Sequence, residues 1–231
     1  MSLNIIILAA GRGKRMHSAL PKVMHKVGGK TMLEHVLISA QKLKPATINV
    51  VVNPKIEKIK NNFKDYKINW VNQIEQKGTA DAVKAALPNL KPEENVLILY
   101  ADTPLIDYKL LERFIEYMPK SHAKVLTVEL DNPFGYGRIV RAQAEKEIIS
   151  KIIEETEADD IQKNITECNT GIIFSSVGVL ADLISKVKNN NSKNEFYLTD
   201  IVGIANEEGL VIAPLLSKDS AVSYTHLTLP T

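Results

Sequence analysis

The sequence predicts an α/β fold in which helices cover both faces of a mostly parallel central sheet, with a smaller β-rich lobe in the second half. Three observations carry that prediction. Short apolar runs rich in β-branched residues open the chain and recur before helical segments, the pattern of strands covered on both faces. The segments between them carry apolar residues three and four apart, which gives right-handed strand-helix-strand crossovers. After residue 117 the pattern shifts to longer β-rich stretches.

The first run is Leu3 to Leu8, followed by Ala9 and Ala10, and is expected to be the central strand. Gly11 and Gly13 come next, interleaved with Arg12, Lys14 and Arg15, and Lys22 stands after Pro21. Glycine adopts backbone angles that a β-carbon forbids. Inward-turned N–H groups beside basic side chains bind anions, so this loop is expected to hold a polyphosphate. A dinucleotide fingerprint would need a glycine where Met16 stands and a helix opening from the turn. The next helix start is instead the capping box Thr31-Met32-Leu33-Glu34. A Walker A loop needs a Gly-Lys-Ser/Thr end at a spacing these glycines lack. Taken alone, the two glycines are equally an ordinary strand-to-helix turn.

Residues 31–44 read as an amphipathic helix with Met32, Leu33, Val36, Leu37 and Ala40 on one face, closed by Pro45. Strands are expected at 48–52 and 68–71, with a lysine-rich surface helix at 54–63 between them. The 68–71 strand ends at Gln73, whose amide offers the donor and acceptor that a pyrimidine edge pairs with. Gly78 and Thr79 open a helix to Leu87, with Thr79 readable as a plain N-cap. The strand at 95–100 ends in Ala101-Asp102-Thr103-Pro104-Leu105. There Asp102 either helps start the helix expected at 107–117 or ligates Mg²⁺, which takes oxygen ligands from one or two carboxylates and from phosphates. Later strands are expected at 124–129, 138–140 and 147–154, helices at 177–188 and 196–207, and a last strand at 210–213. Ligands of such sheets collect at the carboxyl ends of the strands.

Charge and cysteine content narrow the classes. With 29 basic and 27 acidic residues the net charge is +2, which gives no case for nucleic acid or a membrane surface through bulk charge. Cys168 is the single cysteine, so no internal disulfide and no multi-cysteine zinc site is expected. No apolar run approaches membrane-spanning length, and the basic residues follow the first apolar run instead of preceding it, unlike a secretory signal. A cytoplasmic location is the expectation.

Longer strings carry a more specific message. Leu8-Ala9-Ala10-Gly11-x-Gly13-x-Arg15-Met16, followed by Pro21-Lys22, resembles the motif of the sugar-1-phosphate nucleotidylyltransferases. The resemblance implies a Rossmann-like nucleotidyltransferase fold, nucleotide contacts from Leu8, Ala9, Ala10, Gly11 and Gly13, and catalytic roles on the phosphates for Arg15 and Lys22. Gln73-x-x-Gln76-x-Gly78-Thr79 is similar to the string with which the uridylyltransferase branch reads uracil, implying that role for Gln73, Gly78 and Thr79. Lys77 and Asp81 depart from the leucine and histidine common there, which weakens the uracil reading slightly. Tyr100-Ala101-Asp102-x-Pro104-Leu105 resembles the family's metal-binding string, with Ala101 in place of glycine, and implies Mg²⁺ on a catalytic Asp102. Gly135-Tyr136-Gly137-Arg138, Glu154 and Glu167-Cys168-Asn169-Thr170-Gly171 resemble the sugar-binding elements, so Tyr100, Ala101, Gly137, Glu154 and Asn169 are implied at the sugar. The ordinary readings of these are a tight turn, a surface acid within Glu154-Glu155-Thr156-Glu157, and a turn asparagine. Phe196-Tyr197-Leu198-Thr199-Asp200 matches a further family string.

The resemblance covers residues 3 to about 213 and is nearest to the N-terminal half of bifunctional bacterial members. Their other half is a hexapeptide-repeat acetyltransferase, and no such repeats occur here. It implies uridylyl transfer from UTP to N-acetylglucosamine-1-phosphate with Mg²⁺, giving UDP-N-acetylglucosamine and pyrophosphate. A monomer or weak oligomer is expected without the trimerising half. Two alternatives stay open: a nucleotidylyltransferase for CTP or another sugar phosphate, and a catalytically impaired UDP-sugar-binding domain. The second arises because residues 219–231 contain no asparagine, whereas the family places a second metal ligand there. Residues 1–218 are therefore read as the nucleotidylyltransferase domain, and 219–231 as a truncated or foreign tail.

Overall fold

A computed structural model of the chain describes residues 2–11, 20–142, 145 and 147–219, without the side chains of residues 55–58. The expectations for Gly13 and Arg15, and for the tail from residue 220 on, lie outside the described residues.

The first half follows the sequence pattern closely. β1 (Leu3–Leu8) leads through two short strands, β2 (Lys26–Val27) and β3 (Lys30–Thr31), into α1 (Met32–Lys42). Thr31 caps that helix, its Oγ1 accepting from the Glu34 N–H at 3.1 Å. β4 (Thr47–Val52), a 3-10 helix (Pro54–Phe63), β5 (Asn69–Asn72), α2 (Thr79–Ala86), β6 (Asn95–Tyr100) and α3 (Tyr108–Glu116) complete it. The Pro54–Phe63 segment is more than a solvated face, because Ile59 and Phe63 are buried under the sheet.

The second half contains β7 (Ala123–Glu129), β8 (Arg138–Arg141), β9 (Ile149–Ile153), β10 (Glu167–Ser176), α4 (Val177–Lys186), α5 (Asp200–Glu207) and β11 (Ile212–Ser217). The sequence pattern predicts no strand over β10, where Asn169 reads as a turn residue. In the structure Gly171 takes φ +81° at a bulge where the β10–β7 register shifts between Asn169 and Ile173, and the strand continues beyond it. The helix foreseen at 196–207 begins only at Asp200.

Among the described residues these strands form a nine-stranded sheet ordered β11-β7-β10-β6-β1-β4-β5, with β8 pairing β10 and β9. The central quartet β6-β1-β4-β5 is parallel. β10 runs antiparallel to β6, β7 and β8 and joins the quartet to the smaller β8–β9 lobe.

Period-two alternation sorts the core onto the two faces of the sheet. Ile5 and Ile7 pack with Leu33, Leu37 and Phe114 of α1 and α3, whereas Ile6 and Leu8 pack with Val83, Leu180 and Ile201 of α2, α4 and α5. Ile5, Ile6 and Ile7 are completely buried, each burial contributing about 1.5–3 kcal/mol. A lysine inside β7, Lys124, is also buried: its ammonium donates to the Phe114, Ile115 and Tyr117 carbonyls at 2.7, 2.8 and 2.5 Å, closing the end of α3. No helix among the described residues is long and apolar enough to cross a membrane.

Candidate active site

From β1 the chain passes to β4 and β5 on one side and returns to β6 on the other. Loops leaving neighbouring strands at such a point diverge and leave a crevice at their carboxyl ends. Lys22 reaches that crevice from the β1 loop, on a short 3-10 turn (Lys22–Met24) anchored by buried Val23 and Met24. Asp102 reaches it from the end of β6. The Lys22 ammonium donates to Asp102 Oδ2 at 2.7 Å, with each side chain 23% exposed. Asp102 does not start a helix, since α3 is capped by Asp107. The turn holding it is closed by Thr103, whose hydroxyl donates to the Tyr100 carbonyl at 2.8 Å.

Leu8, Ala9 and Ala10 extend the strand's pairing beyond β1. The Leu8 carbonyl accepts from Ala101 N–H at 3.0 Å, Ala9 N–H donates to the Val51 carbonyl at 2.8 Å, and Gln76 Nε2 donates to the Ala10 carbonyl. Gly11 then emerges exposed. Gln73 is buried, and its Nε2 donates to the Gly78 carbonyl at 3.0 Å and to Asp81 Oδ2 at 2.8 Å. Gly78 takes φ +126°, and a β-carbon there would lie 2.4 Å from the Phe196 carbonyl oxygen, so only glycine fits. Thr79 is no cap either. Its hydroxyl accepts from Leu198 N–H at 2.9 Å, and Gly78 holds the N-cap position of α2.

The lobe supplies the opposite wall. Asn169 N–H donates to the Gly137 carbonyl at 2.8 Å and its Oδ1 accepts from Gly171 N–H at 2.9 Å, so its Nδ2 is the group left for a ligand. Gly171 also makes room for Tyr100: a β-carbon there would lie 2.4 Å from the Tyr100 ring. Glu154 Oε1 accepts from the Thr199 hydroxyl at 2.9 Å. Its neighbour Glu155 faces the other way, accepting from Gly135 N–H at 3.0 Å and pairing with Arg138 at 2.8 Å. Arg138, 2% exposed, donates to the Tyr136 carbonyl as well, which ties down the loop presenting Gly137. Burial raises the Glu155 pKa, but the Gly135 N–H and the Arg138 guanidinium outweigh it and hold the carboxyl below its ordinary value.

A cavity of about 330 Å³ joins these parts, lined by Lys22, Asp102, Tyr100 and Thr79 on one side and Gly137, Glu154 and Asn169 on the other. Of the other residues expected at the ligands, Leu8, Ala9, Ala10, Gly11, Gln73, Gly78 and Ala101 are not among its lining residues. Burial, followed by the charges of Glu154 and Asp102, pushes the Tyr100 phenol well above its ordinary value, so it stays a neutral hydroxyl. The sequence reading assigned no role to Thr199, Glu155, Arg138 or Asp81. Only the 196–200 string hinted at Thr199.

Asp200 adds a pH-dependent element. Burial, then the charges of Glu154 and Glu157, raise its pKa to about 6. An acid raised in this way destabilises the fold where it is ionised, with the cost full above about pH 6 and absent below the unfolded value near about 4. Asp200→Asn is therefore expected to raise the unfolding free energy at pH 7.5 by about 1 kcal/mol, allowing for solvent screening, and by less at pH 5. Urea unfolding at the two pH values checks this, and an equal gain at both would exclude ionisation as the cause.

The chain has clear relatives. It is 46% identical over 213 residues to the Bifunctional protein GlmU of Pseudomonas savastanoi pv. phaseolicola, an alignment covering 92% of this chain and 46% of that protein. The GlmU of Pseudomonas putida matches with the same identity and coverage. The chain thus spans about half the length of the curated relatives it matches. A UDP-glucose pyrophosphorylase solved with UDP-glucose superposes with TM-score 0.77 at 15% identity, covering 97% of each chain. The inositol-1-phosphate CTP transferase of T. maritima superposes with TM-score 0.70 at 16% identity, covering 92% of this chain and 84% of that one. At these identities the likeness is one of fold. The profile of the MobA-like NTP transferase domain matches residues 5–166, the stretch holding the β1 loop, the Gln73 loop, Asp102 and Glu154, and the chain belongs to that family.

Proposed function

We propose that the chain transfers a uridylyl group from UTP to N-acetylglucosamine-1-phosphate, releasing pyrophosphate and forming UDP-N-acetylglucosamine. The observation that carries the reading is the single cavity shared by the Lys22–Asp102 pair and by Glu154 and Asn169, together with the 46% identity to GlmU proteins. A phosphate oxygen of the sugar phosphate attacks the α-phosphorus of UTP in line, and the bond to pyrophosphate breaks. The nucleophile is already an anion, so no general base is needed and catalysis rests on positioning and charge. Lys22 and, beyond the described residues, Arg15 offset the charge on the phosphates. Asn169 Nδ2 donates to the sugar and Glu154 accepts from it, groups that penalise a sugar leaving them unpaired.

The donor set suits Mg²⁺. Asp102 offers a partly exposed carboxylate in the cavity, with one oxygen bonded to Lys22, and Mg²⁺ shared with substrate phosphates is held by one or two such carboxylates. Asp102 would hold it. When bound, the ion offsets negative charge on the phosphates.

A pyrophosphate-release assay over the four nucleoside triphosphates and a panel of sugar-1-phosphates tests the reading, with UTP and N-acetylglucosamine-1-phosphate expected to be the best pair. Turnover that prefers another pair overturns it. Within that assay, Asn169→Ala is expected to raise KM for the sugar phosphate about tenfold and KM for UTP far less, because only one subsite loses a partner. Equal changes would mean that Asn169 acts only on the β10 bulge.

A further inference from the structure

We infer that Asp81 is a positioning residue for base selection: it fixes the Gln73 amide with its nitrogen held and its carbonyl oxygen left as the acceptor, so that the site takes a base presenting an N3–H, uracil or thymine, over cytosine. The inference rests on the uridylyl-transfer reading for where the base lies.

A free glutamine amide does not discriminate between pyrimidines, because it can turn over and exchange its donor for its acceptor. Gln73 is not free. It is 4% exposed, and both hydrogens of its Nε2 are taken, one by the Gly78 carbonyl at 3.0 Å and one by Asp81 Oδ2 at 2.8 Å. Turning the amide over would set Oε1 against two acceptor oxygens, one of them on a carboxylate, so this network assigns the orientation. Asp81 is itself held, lying in the first turn of α2 between the buried Ala80 and Ala82. What Gln73 has left is its acceptor Oε1, to which no donor among the described residues is bonded. The N–H of Gly78, the residue whose carbonyl holds the Gln73 nitrogen, is also without a partner among the described residues and offers a donor.

An acceptor next to a donor complements the N3–H and adjacent carbonyl of uracil or thymine. Cytosine presents an acceptor at N3 and an amino donor at C4, so Gln73 Oε1 faces another acceptor, and the Gly78 N–H keeps a partner only in the carbonyl at C2. Loss of Asp81 leaves the Gly78 carbonyl as the lone brake on rotation, and the turned amide can then donate to the N3 of cytosine. On this inference the departure at residue 81 sharpens the choice of base.

Calorimetric titration with UTP and with CTP, in Mg²⁺ and without sugar phosphate, tests this apart from turnover. The unaltered chain is expected to bind UTP at least about tenfold more tightly than CTP, the scale of one mispaired buried polar contact. Asp81→Ala is expected to reduce that ratio to about threefold or less, chiefly by improving CTP binding, while Asp81→Asn, whose Oδ1 accepts the same N–H, keeps it. Gln73→Ala should lower the ratio as far, and adding Asp81→Ala to it should change nothing further, which keeps the inference testable if Asp81→Ala alone does not fold. An unaltered chain without the preference, an Asp81→Ala ratio equal to the unaltered one, or equal losses in the Asn and Ala variants would each overturn it. Failure of pyrophosphate release with N-acetylglucosamine-1-phosphate would count against the transfer reaction and leave these ratios standing.

Discussion

Asp102→Ala is expected to lower pyrophosphate release by at least about a thousandfold, because several kcal/mol of charge stabilisation on the transferring phosphates is lost with the metal-holding carboxylate. The loss should persist when Mg²⁺ is raised, since no cluster of alternative ligands occurs among the described residues. The fold is expected to survive because Lys22 and Asp102 line the cavity and are not part of the apolar core, although removing one partner of a pair only 23% exposed on each side costs more than the roughly 1 kcal/mol of a surface pair. Measuring kcat across a Mg²⁺ series, with a thermal melt as control, decides the matter. Residual activity above about one hundredth of the unaltered rate, the smallest effect that deleting a preorganised stabilising group produces, would remove Asp102 from the metal site.

The second large effect is expected at Lys22. Lys22→Ala should lower kcat about a hundredfold, the scale of deleting one preorganised charge-stabilising donor. The side chain is well placed for that role. Pro21 and the buried Val23 and Met24 fix the turn beneath it, and its bond to Asp102 aims the ammonium at the end of β6. Little reorganisation is then needed when phosphates arrive, which is what makes such a charge effective in a partly desolvated cleft. A loss of tenfold or less in steady-state kcat would mean that Lys22 merely neutralises Asp102.

The Gly78 loop and Glu154 are tied together by the segment from Phe196 to Thr199. Phe196 N–H donates to the Lys77 carbonyl at 2.7 Å and its own carbonyl accepts from Ala80 N–H at 3.0 Å, while Thr199, three residues on, donates to Glu154. One segment thus holds the Gly78 loop and the Glu154 carboxylate in a common frame. It also explains why the helix does not start at Phe196: the Phe196 N–H and carbonyl and the Leu198 N–H are spent on the Lys77–Ala80 segment, and only from Tyr197 on do carbonyls accept from the N–H groups of the following turn, those of Asp200, Ile201 and Val202.

By itself the sequence determined the parallel quartet, its helices and the residues most worth testing. β1, β4, β6 and α1 are legible because their periodicity and capping are local properties of consecutive residues, and Lys22, Asp102 and Asn169 stand in strings long enough to be distinctive. Tertiary structure alone decided the rest, wherever a residue's role depends on a partner distant in the chain. β10 is a strand because β6 and β7 pair with it across a bulge, although its Asn-Thr-Gly string has the local preferences of a turn. Glu154 and Glu155 are adjacent acids that no local rule separates, yet one meets Thr199 and the cleft while the other neutralises buried Arg138. Gln73 could donate or accept as read from the sequence. Its orientation follows from two oxygens that folding places beside one nitrogen, since a buried amide must satisfy its hydrogens with whatever acceptors surround it.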